Sequence, residues 1–250
     1  MRGTRTRAAL VAAALSALIA VGTAGTASAA TAAPPVAATV AAPSAVRTAA
    51  STPYPGRTAA QIKALSVAAM KKATSVHVTA HLTGELDGRT ATIDVNGVIG
   101  TSGSKVTMSI TGMGSLTVLK VGSRVWISGN VAFWTASGAP AALAKKLAGH
   151  WVAVSRKNAA YTQVTTISGL GFWTTVVASF APTERVDGQV VGRTPVVGLW
   201  GNGSILFVSA TGKPYPVRVA QDASAGTIDF VDWNKKVSFK APKKSQVIAY

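Results

Sequence analysis

From Val76 onward the chain alternates, residue by residue, between apolar and polar side chains. Val76, Val78, Ala80 and Leu82 fall on one side of an extended strand, and His77, Thr79, His81 and Thr83 on the other. Ala91, Ile93 and Val95 alternate with Thr92, Asp94 and Asn96 in the same way, and Val106, Met108 and Ile110 with Thr107, Ser109 and Thr111. A period of two is the signature of a half-buried strand, because successive side chains point to opposite faces. Asp87-Gly88, Gly112 to Ser115 and Gly122-Ser123 supply hairpin turns between these runs. The segment therefore predicts an antiparallel meander with one apolar face and one threonine-rich wet face. The apolar face, with Val78, Ile93, Met108 and Leu116 in rows, has to be covered by something else in the chain.

Helical segments are the expected cover. GRTAAQIKALSVAAMKKATS predicts a helix from about Thr58 to Ala73, with Ile62, Leu65 and Ala69 on one face and Thr58 as N-cap. APAALAKKLAGHW predicts a short helix from Pro140 to Leu147, stopped at Gly149. YTQVTTISGLGFWTTVVASFAP predicts helical turns, notably Phe172 to Phe180, closed by Pro182. Strands then return, with turns at Asp187-Gly188 and Asn202-Gly203. The order of helix, strands, helices and strands predicts an α+β domain on one large antiparallel sheet.

Familiar chemistries find little support. Residues four apart on a strand lie about 13 Å from each other, too far for His77 and His81 to share a metal ion. No Gly-x-Ser-x-Gly elbow occurs, and the Ser-x-x-Lys match at Ser102 to Lys105 falls in a hairpin turn without companion motifs. Glycoside hydrolysis needs two positioned carboxylates, and several of the eight acids are spent in turns, as Asp87 and Asp187, or on wet strand faces, as Asp94 and Asp229. The glycines punctuate hairpins instead of cradling a phosphate before a helix. Neither catalytic residues, a cofactor nor a metal is expected.

The first residues bear on compartment. Arg2, Arg5 and Arg7 precede an apolar run from Ala8 to Val21, and Ala27-Ser28-Ala29 offers a small-residue cleavage site. Residues 1–29 are thus expected to be a cleaved signal peptide of the general secretory route, residues 30–56 an Ala/Pro/Thr-rich flexible linker, and residues 57–250 the folded domain. The chain has no cysteine, which excludes a disulfide framework. It carries 25 Lys and Arg against 8 Asp and Glu, a formal charge of +17, which falls to +14 once the three leader arginines are removed. Such a balance favours anionic partners, either membrane surface or cell-wall polymer. The basic residues are scattered and no RNA-recognition aromatic motif accompanies them, which argues against nucleic acid.

A secreted chain with an amphipathic first helix, a meander, a W-V-x-V strand at Trp151 to Val154, a helical insertion and a second meander resembles the LolA-like fold. GKPYPVRV from Gly212 to Val219 and GTIDFVDWNKKVSFKAP from Gly226 to Pro242 make it more specifically similar to actinobacterial LppX/LprAFG-type lipoproteins. The resemblance spans roughly Arg57 to Val247. It implies a large curved sheet, an incomplete barrel, with helices over its concave face and a hydrophobic cavity between them. Some members of that family bind or carry lipids. The family's cleavage-site cysteine has no counterpart here, so an anchor built on a lipid-modified cysteine is not expected. The resemblance implies that Val78, Ile93, Met108, Leu116, Trp126, Phe172, Trp173, Val176, Phe180 and Phe207 line the cavity, with the segment from Gly169 to Phe180 as its lid. Two expectations stand side by side. One is a secreted, monomeric, non-enzymatic binder of a lipid or lipid-linked amphiphile. The other is an envelope-associated protein with a filled core, held by its charge to anionic membrane or wall polymer. A continuous pocket would favour the first and a filled core the second.

Overall fold

The computed structural model describes residues 53–86, 89–201, 203–221 and 226–248. The leader, most of the linker, the Asp87-Gly88 turn and Asn202 lie outside the described residues. Helix α1 (Ala59–Lys71) opens the domain. Five strands follow: β1 (Ser75–Leu86), β2 (Arg89–Gly100), β3 (Gly103–Ile110), β4 (Gly114–Val121) and β5 (Arg124–Gly129). The middle of the chain holds α2 (Val131–Ala136), α3 (Ala141–Leu147), β6 (Trp151–Ala153), α4 (Ala159–Ile167) and α5 (Leu170–Ser179). A second meander comprises β7 (Glu184–Val191), β8 (Thr194–Gly201), β9 (Ser204–Ser209), β10 (Pro216–Gln221) and β11 (Gly226–Val231), and the chain ends with a 3-10 turn and β12 (Val247–Ile248).

All twelve strands form one open sheet in the order β12-β6-β5-β4-β3-β2-β1-β11-β10-β9-β8-β7. Every neighbouring pair is antiparallel except β12 and β6, whose parallel pairing makes one edge depart from the expected all-antiparallel sheet. The two meanders meet at the β1–β11 pair, where Val78 faces Phe230 and Leu82 faces Gly226. The apolar rows read from the sequence share one buried core with Ile62 and Met70 of α1, Phe133 of α2, Val164 of α4 and Trp173 and Val177 of α5. The helix-covered side is the concave, inner face, and the threonine-rich side is the outer face.

Local sequence explains the helix limits. Thr58 Oγ1 accepts from the Gln61 amide at 3.3 Å while Gln61 Oε1 accepts from the Thr58 amide at 2.9 Å, a reciprocal cap. Thr58→Ala is expected to cost about 1 kcal/mol, read as a lowered midpoint in urea unfolding, with Thr58→Ser close to the parent. The short helix α2 was not anticipated. Its signal is Asn130, whose Oδ1 accepts from the Phe133 amide at 2.9 Å and also from the Ser115 amide at 3.2 Å. The predicted helical turns of the insertion resolve into two helices, α4 and α5, broken at Ser168-Gly169. Just before α1, Arg185 donates to the carbonyls of Tyr54 and Arg57 at 2.9 Å each, tying this segment to β7.

Candidate functional site: the inner compartment and its helical roof

The inner compartment is lined chiefly by apolar side chains. Val78, Ile93, Met108 and Leu116 supply its floor, as the alternation requires, and each is buried. Val197, Leu199, Leu206, Val208 and Phe230 continue that floor across the second meander. Among the described residues no Lys, Arg, Asp or Glu is buried.

The roof is the segment from α4 through α5. Asn158 to Thr183 contains no Lys, Arg, Asp or Glu. Trp173 reaches down from α5 and is 2% exposed, with its ring edge-on to Phe172 at 5.1 Å and to Phe230 at 6.2 Å. Phe172, Val176 and Phe180 are half-buried and pack against the same core. Trp173 is therefore a central member of the core between roof and sheet.

Six of the roof's serine and threonine hydroxyls turn inward on their own helices. Thr165 donates to the Tyr161 carbonyl at 2.8 Å, Thr166 to Thr162 at 2.8 Å and Ser168 to Val164 at 2.6 Å. In α5, Thr174 donates to Leu170 at 2.9 Å, Thr175 to Gly171 at 3.0 Å and Ser179 to Val176 at 2.8 Å. A hydroxyl that bonds back to the preceding turn keeps its hydrogen bond whether the helix faces water or hydrocarbon. By contrast, Ser66 Oγ of α1, Gln163 Oε1 of α4 and Trp173 Nε1 of α5 are buried without a protein hydrogen-bond partner.

Few polar ties hold the roof down. Lys63 of α1 donates its ammonium to the carbonyls of Ala178 and Phe180 at 3.0 Å each. This places a cation at the C-terminal end of α5, where the helix dipole favours it. The Tyr161 hydroxyl donates to the Ser123 carbonyl at 2.9 Å at the other end. Beyond α5, the Thr183 amide donates to Trp200 at 2.7 Å and returns the chain to the sheet.

Two of the expected lining residues lie elsewhere. Trp126 and Phe207 alternate out of phase with the inner-face residues of their strands, Val125 and Ile127 in β5 and Leu206 and Val208 in β9. Both belong to the outer face. Trp126 is only 7% exposed even there, with the Arg124 guanidinium 5.4 Å above its ring. Aromatic identity suggested burial, but phase along the strand decides which side is buried.

The outer face also separates the histidines. His77 Nε2 bonds Asn96 Oδ1 at 2.9 Å and His81 Nδ1 bonds Asp94 Oδ1 at 2.7 Å, so each is occupied by a different β2 neighbour. Asp187, Asp229 and Asp232 are likewise engaged, by Arg185, Arg218 and Lys235. The hydrogen bond from Arg218 to Asp229 pushes the arginine's pKa further up. One groove lies on this face, lined by Asn96, Val98, Lys105 and Thr107, and a second lies beside β5 and the end of β6, lined by Arg124, Trp126 and Arg156 among others.

No protein-family model matches the chain, and no curated protein does. Among solved structures it is similar to LprF from Mycobacterium bovis, at 15% identity over 76% of this chain and 99% of that one, with a TM-score of 0.40. It is similar also to the lipoprotein LppX from Mycobacterium tuberculosis, at 14% identity over 72% of this chain and 99% of that one, with a TM-score of 0.41. The complex of MucA and MucB from Pseudomonas aeruginosa matches more loosely, at 14% identity over 75% of this chain and 59% of that one, with a TM-score of 0.32. LppX and LprF are of the type that the sequence resemblance named.

Proposed function

We propose that this chain is a non-enzymatic binding protein for a lipid or lipid-linked amphiphile, exported by its N-terminal leader and taking its ligand between the inner face of the sheet and the α4–α5 roof. The carrying observation is the roof itself: a segment without charge, its hydroxyls bonded back to their own helices, over a compartment without charge. Moving such a segment from water to hydrocarbon desolvates no ion and strands few hydroxyl protons, whereas one unpaired buried charge would cost several kcal/mol. Each acyl methylene that replaces solvent contact inside would contribute about 0.8 kcal/mol. Trp173 Nε1 and Gln163 Oε1 are the polar groups available to orient a headgroup or ester. The roof packs onto the floor through Trp173 and Val177, both buried in one core with Phe230, so on this reading uptake requires the roof to lift and expose Trp173, Val177 and Phe230.

The close packing of Trp173 and Val177 with the sheet also supports the second reading, a solid-cored envelope protein held in place by its positive charge. Lipid uptake separates the two. Native mass spectrometry of the secreted protein, with organic extraction and lipid analysis, is expected to show a bound lipid mass, and a fluorescent fatty-acyl probe is expected to bind saturably in competition with it. Absence of both bound lipid and saturable uptake would remove the first reading and leave the second.

A further inference from the structure

The C-terminal segment does something the alternation pattern does not announce. After β11 the chain turns tightly at Asp232 and Asn234, with φ of 58° and 60°. It then recrosses the outer face. Asn234 donates its amide to the Ser75 carbonyl at 2.9 Å, and Ser75 Oγ donates to the Lys235 carbonyl at 2.6 Å. The strap next passes over the ends of β2 and β3, where glycines admit it: a Cβ on Gly100 would lie 2.8 Å from Val237 Cγ2, and one on Gly103 would lie 3.0 Å from Phe239 Cδ2. It finishes in β12, paired with β6 at the far edge.

Between this strap and the sheet runs a groove of about 610 Å³. Asn96, Val98, Lys105 and Thr107 form its floor, and Val237 and Phe239 its wall. The floor belongs to a longer row. Pairing aligns Thr79, Asn96, Thr107, Thr117 and Ser128 across β1 to β5. Neighbouring strands are about 4.8 Å apart, so this row of hydroxyl and amide groups extends roughly 19 Å. Part of its hydrogen-bonding capacity is open to a ligand. Thr107 and Thr117 bond each other at 3.0 Å, which uses one of their two hydroxyl protons. Asn96 Oδ1 is taken by His77, which leaves the amide nitrogen to donate.

The electrostatics of this half of the molecule are one-sided. Residues 95–183 contain seven Lys and Arg and no Asp or Glu, and residues 233–250 contain five Lys and again no carboxylate. Lys105 is exposed at the groove and has no ion-pair partner among the described residues. The neighbouring carboxylates are spoken for: Asp94 by His81 at 2.7 Å and Asp229 by Arg218 at 2.6 Å.

We propose that this strap-walled groove binds an anionic glycan chain, its sugar hydroxyls meeting the Thr/Asn row, one sugar face resting on Phe239 and its carboxylate or phosphate paired with Lys105. Shape and charge together select this occupant. A bilayer surface is broad and flat and does not enter a groove, whereas an extended sugar chain does. An aromatic wall beside a line of hydroxyls and amides suits alternating apolar and hydroxylated sugar faces, and an unpaired lysine in a carboxylate-free field selects a polyanion. The site is separate from the inner compartment and stands whether or not lipid binds there.

The test is fluorescence anisotropy of the full chain with labelled polygalacturonate oligosaccharides as the carboxylate probe and phosphomannan oligosaccharides as the phosphate probe. Neutral dextran oligomers and phosphatidylglycerol vesicles serve as comparators. Saturable binding to at least one anionic glycan, weakened by 1 M salt and not reproduced by dextran, is expected. Lys105→Gln is expected to weaken it about tenfold, the size of one hydrogen bond to a charged group. Thr107→Val, which suits a strand and removes only the hydroxyl, is expected to weaken it about threefold. Phe239→Ala is expected to weaken it by more than either, and Lys145→Gln, outside the groove, to leave it within about twofold. Three results would overturn the proposal: no binding to either glycan; equal losses for Lys105→Gln and Lys145→Gln, which would mark a diffuse charge effect; or vesicle binding that outcompetes both glycans, which would assign the surface to a membrane.

Discussion

Trp173→Ala is expected to lower the stability of this domain by about 3–5 kcal/mol, the range for truncating a buried tryptophan. In a domain of this size each kcal/mol moves the thermal midpoint by roughly 2–4 °C, so the melting temperature should fall by about 6–20 °C. The reason is position. Trp173 is 2% exposed and bridges Phe172 on its own helix to Phe230 on β11, so it couples the roof to the seam between the two meanders. Removing the indole leaves a void that the rigid sheet below can fill only in part. Differential scanning calorimetry alongside a fatty-acyl probe reads both consequences. If the roof lifts for uptake, the variant's closed state is weakened more than its open one, and probe affinity should rise as stability falls. A melting temperature within about 2 °C of the parent would mean that Trp173 contributes little to the core, and would favour its lining an open pocket instead.

The contrast between Trp173 and Trp126 shows how far the sequence could be read. Strand phase was legible because a half-buried sheet enforces it: Val78, Ile93 and Met108 lie on the inner face as the period of two demands. Where that phase was set aside in favour of residue type, as for Trp126 and Phe207, the expectation failed. Both are large and aromatic, yet both stand on the outer side. The helices were legible from their caps and breakers, and α2 escaped notice because its cap, Asn130, follows β5 directly and the helix is only six residues long. Long-range returns left no local trace. Nothing in NKKVSFKAPKK marks it as a strap over β2 and β3, since its partners are glycines some 135 residues earlier whose meaning appears only when the strap lies on them. Whether the inner compartment is filled is equally invisible in one dimension, because it depends on how side chains from five helices and twelve strands share a volume.

Gly226→Ala is expected to damage the fold more than any surface change. Gly226 has a φ of +101°, a conformation that costs a residue with a Cβ on the order of 1–2 kcal/mol or more. A Cβ there would also lie 1.8 Å from the His81 carbonyl oxygen and 3.0 Å from Leu82 Cα, both backbone atoms of the paired strand β1. No rotamer change relieves such a clash, so β1 and β11 must separate locally. This pair is the junction of the two meanders: on one side of it lie β2 to β6 and β12, on the other β7 to β10, and Val78, Phe230, Ala80 and Ile228 face each other along it. A loss of at least about 3 kcal/mol follows from strain and overpacking together. Gly188→Ala separates these two costs. Gly188 has a φ of +72°, but a Cβ there meets nothing within 4 Å, so it should lose about 1–2 kcal/mol from backbone strain alone. Circular dichroism melts of the two variants should therefore differ widely although each adds a single methyl group. Equal, small shifts would show that the β1–β11 seam opens at its Gly226 end without cost, and that the two meanders hold together through the inner core instead of through their shared strand pair.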